Sequence, residues 1–193
     1  MKKGKIIVLS APSGTGKSTI ISRLMERPEL RLGFSVSATS RPPRGAEQDG
    51  REYYFLSPEE FDRRVAAGEF VEWEEVYHGT KYGTLLSEVE RVTAPGCNLI
   101  MDVDVKGALN VKKRFGDDAL SIFILPPSKE ELEKRLRGRA TDSEDAISRR
   151  LAKTEFELGF ADSFDVKVIN DVLDKAIDEV ARRISEFAGT DKS

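Results

Sequence analysis

Residues 8–19, VLSAPSGTGKST, constrain this chain more than any other stretch. An apolar strand over 5–9 runs into a glycine-rich turn, and a lysine and a hydroxyl then open a helix. Such a turn points successive backbone N–H groups into one concavity. With the helix N-terminus, they form a nest for phosphate oxygens. Gly14 and Gly16 permit positive φ and leave room for a phosphate to approach the backbone. Lys17 adds a point charge toward β- and γ-phosphates, and Ser18 a hydroxyl ligand for Mg²⁺. The usual pattern is G-x-x-x-x-G-K-[ST]; here Ala11 holds the first glycine position, which removes the freedom of positive φ there. With a strand before it and a helix after it, the loop is expected to bind a nucleoside triphosphate. Its contact residues are Ala11, Pro12, Ser13, Gly14, Thr15, Gly16, Lys17, Ser18 and Thr19.

The rest of the chain bounds what surrounds this loop. At 193 residues it suits one domain with inserted subregions. Its 39% hydrophobic and 34% charged residues describe a globular, well-solvated protein. No apolar run approaches a membrane span, and the N-terminus passes straight into a strand, so the expected location is cytoplasmic. One cysteine, Cys97, excludes an internal disulfide and a cysteine-rich zinc site. One histidine, His78, makes histidine acid–base catalysis a poor expectation and reads as a polar turn residue beside Gly79. The net charge of −3 gives no global field toward nucleic acid. Anion binding must come from local clusters of arginine and lysine.

Strand and helix patterns alternate at both ends of the chain, which predicts a parallel sheet covered by helices. A helix is expected over 18–25, a short strand over 34–37, and strands over 52–56 and 69–77. Between the last two lies a small helix with Ser57 as N-cap, Pro58 in the first turn and Glu60 closing a capping box. This α+β piece, 34–82, reads as an insertion. Core alternation resumes with helices over 85–92 and 105–115 and strands over 98–102 and 120–125. A helix capped by Ser128 reaches 137, another spans 143–160, and a strand covers 166–169. Leu173, Ile177, Val180, Ile184 and Phe187 form the core stripe of a last helix, and 191–193 are expected to fray.

Several polar clusters carry further chemistry. Arg41 and Arg44 stand on a proline-stiffened turn just past a strand, and planar guanidinium forks suit phosphate oxygens. Tyr53 adds a phenolic donor. A second cluster, Arg135, Arg137, Arg139, Arg149 and Arg150, brackets 138–142 like a lid that closes over phosphates. Within it Arg137 is expected to pair along its own helix, and Arg139 and Arg150 to serve function. Asp102 and Asp104 stand at the carboxyl end of a buried strand, where ligands lie in open α/β sheets. Glu69 shares a strand face with Trp73, and Glu72 takes the other. Carboxylates beside a phosphate site suit the N1–H and N2–H₂ donors of guanine, and Ser37 or Thr84 suits its O6.

Together these pieces resemble the guanylate kinase family across nearly the whole chain, residues 6–187. The carrying motifs are APSGTGKST, FSVSATSRPPRGAEQDGREYYF, EFVEWEEVYHGTKYGT, LIMDVDVKGALNVK, FILPPSKEELEKRLRGRATDSE and the late VIND. The resemblance implies a P-loop NTPase fold of three layers, with a central parallel sheet flanked by helices. The core would be 1–33, 83–136 and 152–193, the GMP-binding insertion 34–82 and the helical lid 137–151. It implies ATP as donor with Mg²⁺, and GMP or dGMP as acceptor. Arg41, Arg44, Tyr53 and Tyr82 would hold the GMP phosphate, and Ser37, Glu72, Thr84 and Asp104 would read guanine. Arg139 and Arg150 would meet the transferring phosphoryl group, Asn170 would lie near the adenine, and Asp102 near Mg²⁺ or the acceptor, largely through water. Three departures stand out: Ala11, one extra residue in 76–83, and Lys81 where an aromatic often precedes the tyrosine.

The expected reaction is transfer of the ATP γ-phosphoryl to GMP, with Lys17, Arg41, Arg44, Arg139 and Arg150 neutralising charge. Small-molecule substrates are the expected partners, with neither nucleic acid nor membrane, and self-association is left open. Two rivals remain. One is a P-loop kinase for another monophosphate. The other is a guanylate-kinase-like binding module, although such modules lose the phosphate loop that is intact here. A GTPase switch is disfavoured because no N-K-x-D segment occurs.

Overall fold

The computed structural model describes residues 3–77, 79–137 and 144–189. In chain order it contains β1 (Ile6–Ser10), α1 (Lys17–Met25), β2 (Leu32–Phe34), β3 (Ala38–Thr39), β4 (Tyr54–Phe55), α2 (Pro58–Ala66), β5 (Phe70–Tyr77) and β6 (Thr80–Leu85). There follow α3 (Leu86–Thr93), β7 (Asn98–Asp102), α4 (Val105–Phe115), β8 (Ala119–Leu125), α5 (Lys129–Arg137), α6 (Glu144–Leu158), β9 (Val166–Ile169) and α7 (Leu173–Ala188).

Five strands form one parallel sheet in the order β2-β7-β1-β8-β9. Strand β1 reads as an unbroken apolar run because it is buried on both faces. Alternation sends Ile7 and Leu9 into a core shared with α1 and α7, and Ile6 and Val8 into one shared with α3 and α4. Each fully buried aliphatic side chain of this kind contributes about 1.5–3 kcal/mol. The result is three layers, helix on sheet on helix. All five strands point the same way, so β1, β7 and β9 end together, and the loop after β1, Asp102 and Asn170 gather at one edge. Among the described residues no helix is long and apolar enough to cross a membrane.

A second sheet, ordered β4-β3-β6-β5, packs on α2 around Ala38, Phe61, Phe70 and Leu85. The Phe61 and Phe70 rings stack at 4.4 Å. The strand expected over 34–37 is two strands in different sheets: β2 ends at Phe34 in the core and β3 begins at Ala38 in the insertion. The apolar–polar alternation of 34–37 looks continuous, but the chain changes sheet there. Strand β6 was not expected; it pairs antiparallel with both β3 and β5 and runs past residue 82. The lysine and glycines of 79–83 obscure its β character.

Smaller differences have local causes. Ser57 does cap α2, its Oγ accepting the Glu60 N–H at 3.1 Å. The reciprocal half of the capping box is replaced, because the Glu60 carboxylate accepts from Arg63 and Arg64 at 2.7–2.8 Å. In α7 the inward stripe is Ala176, Ile177, Val180, Ala181 and Ile184, while Leu173 at the first turn is exposed. The cap at Ser128 forms as expected, with the Glu131 N–H at 3.1 Å. His78, Arg139 and residues 191–193 lie outside the described residues, as do the side chains of Arg135 and Arg149.

Candidate active site

Two adjoining cavities open at the carboxyl edge of the parallel sheet. The larger, about 580 Å³, is lined by the loop after β1 together with Ser18, Thr19, Asp102, Val103, Asp104, Lys153 and Glu157. The loop owes its shape to a few specific bonds. Gly14 and Gly16 take φ of 86° and 87°, which L side chains rarely adopt. Thr15 is fully buried, and its Oγ1 donates to the Pro12 carbonyl at 2.7 Å. Ala11 does not adopt positive φ, so the missing glycine costs the turn nothing.

Asn170 packs directly behind this loop. It is 5% exposed, and its Nδ2 donates to the Thr15 carbonyl at 2.7 Å. A Cβ on Gly16 would come within 2.8 Å of that nitrogen. Asn170 therefore props the loop from behind and is no part of the cavity lining. The glycine at position 16 answers both the left-handed backbone and this close approach. Thr15 likewise supports the loop with its side chain and leaves the cavity to its neighbours.

Lys17, at the first position of α1, points along the loop mouth. Its ammonium pairs with Asp102 and donates to the Val103 carbonyl at 3.4 Å. Asp102 faces both cavities. Asp104 is the N-cap of α4, its Oδ1 accepting the Gly107 N–H at 2.7 Å. Sequence reasoning missed Lys153 and Glu157, one turn apart on α6, which close the far wall. Burial raises the Glu157 carboxyl, while the charges of Lys153 and Lys17 oppose that rise. Their i,i+4 spacing was the available signal.

The smaller cavity, about 140 Å³, is lined by Ser37, Glu72, Glu74, Val76, Tyr82, Gly83, Asp102, Val103 and Asp104. Five of the residues expected to contact the acceptor, Ser37, Glu72, Tyr82, Asp102 and Asp104, thus converge from the segment before β3, β5, β6, the end of β7 and the cap of α4. Thr84 is 2% exposed and lies behind the surface. Burial raises the Glu72 carboxyl despite hydrogen bonds from Thr84. Glu74, also unanticipated, is raised by burial and by the charge of Asp104. Gly83 is required here by proximity: a Cβ would meet the Glu72 carbonyl at 2.6 Å and the Phe70 ring at 2.8 Å.

The segment 76–83, where the resemblance implies one extra residue, forms an irregular turn between β5 and β6. A register shift falls between Glu75 and Tyr77, and Gly79, with φ of 83°, donates its N–H to Glu75 at 2.8 Å. Below that turn Glu74 still opposes Tyr82 and Glu72 opposes Thr84. Lys81, in place of an aromatic, ion-pairs with Asp62 of α2.

Arg41 is buried to 9% exposure, with its guanidinium over the rings of Tyr53 at 5.0 Å and Phe55 at 5.6 Å. Its Nε donates to the Tyr82 hydroxyl at 3.2 Å. The Tyr53 and Tyr82 rings meet edge-on at 5.8 Å. The structure therefore assembles Arg41, Tyr53 and Tyr82, while Arg44 is exposed on the same turn. Glu47 was missed. Its carboxylate takes both Arg41 amino groups at 2.7 and 2.8 Å and the Arg44 N–H at 2.8 Å. Those bonds hold its carboxyl down to about 2, so it is ionised near neutrality. A glutamate three residues after Arg44 was the clue to a closed turn. In the second arginine cluster, Arg137 pairs with Glu133 at 2.9 Å along α5 as expected, and Arg150 is half-buried on α6.

A family model described as "Guanylate kinase" matches residues 3–187. The chain is 58% identical over 183 residues to a guanylate kinase of Porphyromonas gingivalis, covering 95% of this chain and 97% of that one. It is 53% identical over 189 residues to a guanylate kinase of Bacteroides fragilis, covering 98% and 92%. Among solved structures it resembles a guanylate kinase from Anaplasma phagocytophilum, with TM-score 0.72 and 29% identity over 97% of this chain and 87% of that one. A gluconokinase from Sinorhizobium meliloti shares the fold at TM-score 0.52 and 14% identity, covering 98% and 96%.

Proposed function

The chain belongs to the guanylate kinase family, and from that premise we propose how its two cavities carry out ATP:GMP phosphotransfer. The chain is a phosphotransferase; the larger cavity takes the ATP phosphates and the smaller takes GMP. The observation that carries this reading is the shared wall. Asp102, Val103 and Asp104 line both cavities, which suits two substrates meeting end to end.

The acceptor is a phosphate monoester whose second pKa is about 6, so it is already ionised near neutrality and needs no general base. The obstacle is repulsion between two polyanions and the cost of aligning them. Catalysis is then positioning and charge neutralisation. Lys17 moves from Asp102 to the β- and γ-phosphates, and the loop N–H groups hold the rest. Arg41, Tyr53, Tyr82 and Arg44 receive the GMP phosphate, and Arg150 and Arg139 supply cationic charge over the transferring group. Glu72 and Asp104 accept the guanine N–H donors while Ser37 suits O6, and Thr84 backs Glu72 through its hydrogen bonds. AMP would leave those carboxylates unpaired in a desolvated pocket, the kind of penalty that rejects an analogue by about 10⁴-fold.

Mg²⁺ fits the residues present. Ser18 and Asp102 flank Lys17 in one cavity, and no group of three or more His, Cys, Asp or Glu able to hold a metal occurs among the described residues. One hydroxyl and one carboxylate suit an ion that keeps its waters and shares phosphate oxygens. When bound, it would neutralise charge on the β- and γ-phosphates. The reading is tested by ADP release with magnesium and ATP, comparing GMP, dGMP, AMP, UMP and no acceptor. Turnover with GMP and dGMP alone is expected. A faster rate with AMP or UMP would favour a kinase for another monophosphate, and no turnover with any acceptor would favour a binding module.

A further inference from the structure

The insertion joins the core at two crossings, residues 35–37 between β2 and β3, and the direct junction of β6 into α3. Glu88 lies in the first turn of α3, just past the second crossing, and is 2% exposed. Its Oε2 accepts the Val36 N–H at 2.7 Å, and its Oε1 accepts the Tyr54 hydroxyl at 2.8 Å. Arg91, one turn on, donates to both oxygens at 2.7 and 2.8 Å. All four lone-pair directions of the carboxylate are thereby used.

A buried carboxylate is unfavourable unless fully hydrogen-bonded, and the other buried residues of this helix are Val89, Val92 and Thr93, whose hydroxyl is satisfied by the Val89 carbonyl. Packing alone would be served by another aliphatic side chain. What the carboxylate adds is a link between three pieces: the core helix α3, the crossing at Val36 and the insertion strand β4. Arg91 also donates to the Phe34 carbonyl at 3.2 Å, tying in the end of β2. The burial that would raise the Glu88 carboxyl is outweighed by its bonds from Arg91, Val36 and Tyr54, so it stays ionised.

Ser37 is the next residue along the chain and lines the smaller cavity. It is held on both sides by this network. The preceding N–H goes to Glu88, and the Ser37 carbonyl accepts the N–H of Tyr54 at 2.9 Å. We propose that Glu88 is a positioning residue for acceptor selection, fixing Ser37 opposite Glu72 and Asp104 by pinning the crossing beside it. This rests on the reading that the smaller cavity takes GMP. Glu88 touches no substrate; it acts through the backbone of 36–37.

The test is steady-state kinetics on the full chain with Glu88→Gln, Ser37→Ala, the pair combined, and Tyr54→Phe. Glu88→Gln removes the charge that Arg91 and Val36 meet, so KM for GMP should rise about 10-fold, with KM for ATP unchanged. The GMP-over-AMP ratio should fall by about the same factor. Because Glu88 acts through Ser37, the double variant should lose much less than the product of the single losses. Tyr54→Phe deletes one hydroxyl, and a rise of about 3-fold in KM for GMP is expected even if Glu88→Gln folds poorly. Equal rises in both KM values, or multiplicative losses in the double variant, would make Glu88 a fold staple and overturn the inference. A wild-type chain that makes no GDP would instead sink the acceptor reading, and this inference with it.

Discussion

The loop after β1 and the smaller cavity are of opposite construction, and on the proposed reading they hold the donor and the acceptor in different ways. The loop uses backbone N–H groups, fixed by glycines at positive φ, the Thr15 bond to Pro12 and the Asn170 prop. Its only charged side chain is Lys17. The acceptor side uses side chains, with Arg41 stacked on two rings and matched by Glu47, and with Glu72, Glu74 and Asp104 crowded at the other end. Backbone recognition is indifferent to what the phosphate is attached to; side-chain recognition selects. The difference teaches where specificity must lie. On the proposed reading, the nucleotide that gives up a phosphoryl group is held by a generic nest, and the one that receives it is vetted.

Substitutions can break this contrast from either side. The largest loss is expected for Lys17→Ala, about 10³-fold in kcat, because the charge acts most strongly as phosphoryl transfer proceeds; single-turnover GDP formation measures it. Next comes Arg41→Lys. It keeps the charge but loses the fork that Glu47 and a phosphate both need, and KM for GMP should rise about 10²-fold with KM for ATP unaltered. An equal effect on both substrates would show that the two sites are not built separately.

Glu72→Gln sharpens the selective half. It should lower the GMP-over-AMP ratio of kcat/KM by ~10–100-fold while leaving ATP affinity intact. A pH series gives an independent check. Burial raises the Glu72 carboxyl, so falling pH protonates it sooner than an ordinary glutamate. Protonation removes an acceptor for guanine, and KM for GMP should rise on the acid side in the wild type. Glu47, held down to about 2, stays ionised throughout and adds nothing to that rise. The part of the rise due to Glu72 should vanish in Glu72→Gln, leaving titration of the GMP phosphate and of Glu74, whose carboxyl is also raised. Smallest is Asn170→Ala, which loses one buried hydrogen bond worth about 1 kcal/mol. It should weaken ATP binding several-fold by calorimetry and leave GMP binding unchanged.

The same contrast explains what could be read from residue order. The donor loop is contiguous, and its chemistry lies in residue types at fixed spacing, so residues 11–19 announced it. Strands β1, β7 and β8 are legible because burial on both faces leaves predominantly apolar runs. The acceptor cavity is assembled by tertiary contact. Ser37, Glu72, Tyr82 and Asp104 were named through motifs, yet no local rule ties Glu74 or Glu47 to them. Strand β6 was hidden because Lys81 and Gly83 have poor β propensity, although Gly83 is there to let β5 approach. The resemblance sets Asn170 beside the adenine. Its burial and its bond to Thr15 depend on β9 lying near β1, which spacing does not reveal.

The central event is one transfer between two bound nucleotides, and the fate of labelled phosphorus tests it most directly. With γ-labelled ATP, magnesium and GMP, the label should appear in GDP in step with ADP, with inorganic phosphate near background. Label recovered mainly as inorganic phosphate, or passed to AMP as readily as to GMP, would contradict it.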